Sequence, residues 1–197
     1  MDNKNRQLEI IKSLNDNRNK LSALFSLYNS SLIVAEEKRS ELINFYEQML
    51  DLRNDATSIS NVIYNSKKDE RVEAITKNKS KIKKLTSDIN QINSEFQTTS
   101  KTYKVALQEC GSLKTEYKHE VSDLCKEFKA SVDESTDPII IKGYKQQVKI
   151  IKAILDRIEL LISDYNVKKN KVETDDEKFD ALYSSVNQLL SKIEEIA

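Results

Sequence analysis

Residues 8–64 read LEIIKSLNDNRNKLSALFSLYNSSLIVAEEKRSELINFYEQMLDLRNDATSISNVIY and contain neither Gly nor Pro. Leu14, Leu21, Tyr28, Ala35, Leu42, Met49, Ala56 and Ile63 recur every seven residues. A seven-residue repeat keeps one seam of a helix turned toward a partner helix and imposes a left-handed supercoil. The companion row Ile11, Arg18, Phe25, Leu32, Arg39, Tyr46, Arg53 and Ser60 is only half apolar. Leu24, Leu27, Leu50 and Leu52 widen the stripe, which suits contact with more than one neighbouring helix. The stretch 1–64 therefore predicts one coiled-coil helix.

Residues 65–71, NSKKDER, carry no apolar side chain, and the phase of the repeat changes across them. A hairpin turn and a hinge inside one long helix both fit. A second repeat follows at Ile75, Ile82, Ile89, Phe96, Tyr103, Cys110, Tyr117 and Leu124, with Asn78, Leu85, Ile92, Thr99, Ala106, Leu113 and Glu120 as companions. Near its end the spacing stutters through Tyr117, Val121, Leu124 and Phe128. One long helix is predicted over 72–132, with Gly111 inside it at a cost of about 1 kcal/mol relative to Ala. The seam residues are Leu14, Leu21, Leu42, Met49, Ile75, Ile82, Ile89, Phe96 and Leu113. Polar companions are commoner where register and partner choice matter, so a hetero-oligomer with other coiled-coil subunits is expected.

The segment DESTDP, 133–138, is the clearest boundary. Asp137 suits an N-cap, and Pro138 suits the first helical position, where its missing N–H costs nothing. Val148, Ile151, Leu155, Ile158, Ile162 and Tyr165 follow at helical spacing, and Ile150, Ile154 and Leu161 add a second apolar face. Residues 166–173 are polar and lysine-rich. Thr174 and Glu177 then have capping-box spacing, ahead of Phe179, Leu182, Tyr183, Val186, Leu189, Leu190, Ile193 and Ile196. Residues 138–197 therefore predict a helical hairpin. Its second face, at Ile151, Ile154, Ile158 and Leu161, is the expected partner interface.

The whole composition agrees with an all-α fold. The 197 residues include 2 Gly and 1 Pro, where an ordinary domain would carry roughly 12% of the two together. Folds of many short elements need turn residues at most of their bends, which excludes sandwiches, barrels and α/β folds. Net charge is zero, with 32 basic and 32 acidic residues. A nucleic-acid binder usually shows a basic excess. Charge is nevertheless uneven. Residues 66–84 hold eight Lys or Arg against three acids, and 173–197 hold seven acids against two Lys. Within the first run, Lys79, Lys81, Lys83 and Lys84, with Lys77, would suit an acidic partner or a DNA backbone. A solvated helix face is the simpler reading.

No enzyme site is legible. His119 is the only histidine and lies between Lys118 and Glu120, with no nucleophile at helical spacing. Cys110 and Cys125 cannot make a zinc site with one His. No Gly-rich phosphate loop is present, so no metal or cofactor is expected. The first residues carry no apolar signal region, and no run approaches the roughly 20 apolar residues of a membrane span. Lone cysteines fit reduced thiols. An intracellular protein without membrane contact is expected.

The stretches VKIIKAILDRIELLI, 148–162, and NKVETDDEKFDALYSSVNQLL, 170–190, resemble the C-terminal part of the centromere protein H family. That family joins a doubly apolar helix to a last amphipathic helix through a link with a Val and an acidic residue. Val172 and Asp175 or Asp176 fall at those places. This link is longer than the family's and lacks its usual Gly-Ser step and Trp. The resemblance implies a non-enzymatic inner-kinetochore subunit in the nucleus. Such a subunit would pair lengthwise with a centromere protein K-like chain and dock a centromere protein I-like solenoid. The residues alone fit equally a coiled-coil subunit of a tethering, spindle or cytoskeletal complex, and less well a membrane-curving helical dimer.

Overall fold

The computed structural model describes residues 2–195. They form four helices: α1 (Asn3–Asn65), α2 (Lys68–Glu109), α3 (Leu113–Ser131) and α4 (Pro138–Glu195). No strand occurs among the described residues. The fold is all-α and built of long helices. The predicted place of Ile196 lies outside the described residues.

Contacts divide the chain into two units. One comprises residues 1–35 and 105–168, the other 36–104 and 169–197. In the first, α1 runs antiparallel to α3 and parallel to α4. Arg6 pairs with Glu127, and Lys20 Nζ lies 5.9 Å from the Tyr117 ring centroid. Phe128 stacks on Tyr144 with centroids 3.9 Å apart. Arg157 sits 5.9 Å from the Phe25 ring. In the second unit, 36–65 and 68–104 are joined by the two-residue link Ser66–Lys67, and 169–195 lies against them. Of residues 65–71 only Ser66 and Lys67 lie outside the helices, so the segment holds a tight turn and not a hinge inside one helix.

The heptad rows explain these packings. Leu14, Leu21, Tyr28, Ala35, Leu42, Met49, Ala56 and Ile63 are all buried, as are Ile82, Ile89 and Phe96. Each fully buried large side chain contributes roughly 1.5–3 kcal/mol relative to exposure. The second buried row of α1 in the first unit is Ile10, Asn17, Leu24 and Ser31. It lies one residue before the expected companions, of which Leu32 is buried too and Ile11, Arg18 and Phe25 are half-buried, because a helix between two neighbours buries both flanks of its seam.

Three expectations require correction. The helix expected over 72–132 breaks at Cys110–Ser112. The amides of Cys110 and Gly111 turn back to the carbonyls of Leu107 and Gln108, at 3.2 and 3.0 Å. Beyond the break, Leu113 is exposed, so it is not a seam residue, while Val121 and Phe128 carry the core. Gly111 does not have positive φ, and a Cβ there would meet only Gln108 O at 3.5 Å. Gly111→Ala is therefore expected to raise stability by about 0.4–1 kcal/mol. A denaturant midpoint lower than that of the parent chain would refute this.

The second correction concerns the C-terminal hairpin. Residues 138–195 are one helix of 58 residues. The third concerns the capping box: Thr174 Oγ1 donates to Asn170 O at 3.0 Å, a mid-helix i−4 bond. Both have one cause. Tyr144, Ile151, Ile158, Tyr165, Val172, Phe179, Val186 and Ile193 repeat every seven residues straight through the supposed link. All are buried except the half-buried Tyr165. Between Tyr165 and Val172 every residue but the half-buried Lys168 is exposed, so this interval is the outward part of that repeat.

The true stop lies before α4. Asp137 Oδ1 accepts the Ile139 amide at 2.9 Å, with Pro138 at the first helical position. The preceding bend is closed by Asp133 Oδ1, which accepts the Ser135 amide and hydroxyl at 2.9 and 2.6 Å. Those bonds, Ser135's hydroxyl first, hold the Asp133 carboxyl below its ordinary range. Asn3 and the buried Gln7 donate to Ser131 O at 2.9 Å each, tying the start of α1 to this bend.

Candidate interaction surfaces

The lysine run divides between two sides of α2. Lys79 and Lys83 rim a groove of about 710 Å³ floored by Val72, Ile75 and Ile82. Lys81 and Lys84 face α1 instead, in a smaller groove shared with Asp55, Asp88 and Leu52. All four lysines are exposed, as is Lys77. Ile75 is half-buried, while Val72 is 62% exposed.

The expected partner interface on α4 is only partly available. Ile151 and Ile158 are buried in the core of the first unit, because they occupy the inward row of α4. They cannot also meet a partner, and that assignment is corrected. Ile154 and Leu161 are half-buried on the flank. Ile154 lines a shallow groove of about 460 Å³ with Gln146, Ile150, Ala153 and Arg157. The exposed apolar residues of α4 are others: Ile139 at 77%, Leu160 at 73% and Val167 at 66%. With the exposed Ala153 they fall on one seven-residue row, interrupted only by Gln146. This row is sparser in apolar residues than the Ile150–Ile154–Leu161 face, so the sequence marks it less strongly.

Where α4 covers α2, polar contacts flank an aromatic centre. Phe96 and Phe179 stack with centroids 3.7 Å apart and planes 5° from parallel. One turn away, the Ser100 hydroxyl donates to both Asp176 carboxylate oxygens at 2.9 and 3.0 Å, and Lys104 pairs with Asp176. In the other unit, Lys114 and Lys118 reach Glu159 at 3.1 and 3.4 Å and hold its carboxyl below the usual range, Lys114 most.

His119 is exposed, with Nδ1 3.3 Å from Thr115 O. Cys110 is buried and Cys125 half-buried, both as free thiols. Burial raises the Cys110 thiol above its ordinary range. Burial, and then the neighbouring Cys125, push the Tyr144 hydroxyl up to about 12. Among the described residues no group of three or more His, Cys, Asp or Glu could hold a metal, and no helix is long and apolar enough to cross a membrane.

No protein-family model matches the chain, and no curated protein matches it. Among solved structures it is similar to a computationally designed three-helix bundle. The two are 17% identical over 95% of this chain and 96% of that one, with a TM-score of 0.41.

Proposed function

We propose that this chain is a non-enzymatic structural subunit of a multiprotein assembly. The observation that carries the reading is the exposed row Ile139, Ala153, Leu160 and Val167 on α4. Apolar side chains repeating on one outward face of a charged helix suit a protein partner. The heptad rows meanwhile fill the interior with the chain's own helices, which act as a scaffold for that face. The test is native purification of the tagged full chain, with partner stoichiometry measured. Leu160→Glu with Val167→Glu should remove stoichiometric partners and leave helix content unchanged, since both side chains are exposed. An unaltered partner set would refute the role of this face. The absence of any stoichiometric partner from the parent chain would refute the subunit reading.

The inner kinetochore is the assembly we propose, on the resemblance of 148–162 and 170–190 to the centromere protein H family. What supports it is the pattern of helix 148–162. The link that the family places after it is helical in this chain, with Val172 buried, so the support comes from the helix alone. Concentration of the labelled protein at centromeres is the expected result. A distribution without centromeric foci would remove the placement and leave the structural-subunit reading standing.

A further inference from the structure

We propose that the groove on α2 between Val72 and Asn90 is the docking site for an acidic amphipathic helix of a partner protein. The proposal rests on the subunit reading above and specifies one of its contacts. The groove is floored by Val72, Ile75 and Ile82, with Lys79 and Lys83 on its rim and Glu194 at the α4 end.

The same edge of α2 shows what such a groove accepts. Ile75, Ile82, Ile89 and Phe96 lie on one heptad row, and Phe96 is covered by Phe179 of α4. Lys79 and Lys83 occupy the rows of Ser100 and Lys104, three heptads earlier. Farther along, those two rows close on a single carboxylate, Asp176. At the groove both rows present lysine. A covering helix with apolar residues toward Val72 and Ile75 would therefore meet Lys79 and Lys83 with Asp or Glu. The local charge points the same way, with eight bases against three acids over 66–84.

A protein helix fits better than a nucleic acid, because the floor is aliphatic and offers no aromatic stacking platform. A second copy in a two-fold pairing is disfavoured by charge. An isologous contact sets the same patch against itself, bringing together two patches that each hold two lysines and one glutamate.

The test uses the full chain and two fluorescent three-heptad synthetic helices. Both carry Ile and Leu on the inner face. One carries Glu on the flanks, the other Lys. By anisotropy the Glu-flanked helix should bind about tenfold more tightly, as expected for two charge pairs beside an apolar contact. Lys79→Glu with Lys83→Glu should invert that order without changing the circular dichroism, since both side chains are exposed. Added salt should narrow the gap. Equal affinities, no binding of either helix, or an order unchanged by the reversal would overturn the proposal. So would self-association that Ile75→Glu abolishes while neither helix binds, which assigns the groove to a second copy. If the peptides fail and stoichiometric partners persist, only the groove assignment falls. If the parent chain has no partner, the subunit reading falls, whatever the peptides do.

Discussion

Ile89→Asp should cost the fold about 4 kcal/mol or more, while Ser87→Asp two residues away should stay within about 0.5 kcal/mol. Ile89 is 0% exposed, between neighbours Leu85, Ile92 and Phe96 that are themselves buried. Asp there loses the apolar contacts and places a carboxylate where nothing pairs with it. Ser87 is exposed on the same helix and keeps its side chain in water. A typical domain is stable by only about 5–15 kcal/mol, so the Ile89 variant should lose a large share of its helical signal or melt well below the parent chain. Ile82→Asp and Ser80→Asp should repeat the contrast, since Ile82 is buried and Ser80 exposed. Similar urea midpoints for all four would show that the inward row of α2 is misplaced.

Asn170→Pro should cost about 3 kcal/mol or more. Asn170 is exposed and lies inside α4. Proline there removes an amide needed by the helix and drives its ring against the carbonyl one turn back. Asn170→Ala, at the same site, should be neutral or slightly stabilising, because Ala is the better helix former. If 166–173 were a flexible link between two helices, proline would be accepted at almost no cost. Equal thermal midpoints for the two variants would restore the hairpin.

The α1 seam was legible because its spacing stays intact over seven steps, across the polar stretch NDNRNK at 15–20 as well. The α4 row from Tyr144 to Ile193 is equally regular. The lysines and asparagines of 166–171 mask it, because taken together they have the composition of a link. In a bundle those are the outward positions, and a run of them says only that few inward positions fall nearby. The break at Cys110–Ser112 had a weaker sign. One Gly costs about 1 kcal/mol in a helix, which packing readily overrides, and only the stutter at Tyr117–Phe128 added to it. The grooves could not be read at all. Ile75 and Ile82 share one heptad row, and the spacing alone does not say that the first is half-buried and the second buried. The same holds for Ile151 and Ile154, neighbours on one helix with different fates.

The tight turn at Ser66–Lys67 has a consequence for the order in which the molecule assembles. It brings 36–65 and 68–104 together through nearby stretches of chain, so their pairing closes a short loop at little entropic cost. Contacts such as Arg6 with Glu127, 121 residues away, must close a far longer one. Local contacts form fastest. The α1–α2 hairpin should therefore be the nucleus, with α4 joining late. In native-state hydrogen exchange, the amides of 169–195 should then become labelled at lower denaturant than those around Met49 and Ile89, even though Phe179 and Ile193 are as deeply buried as either.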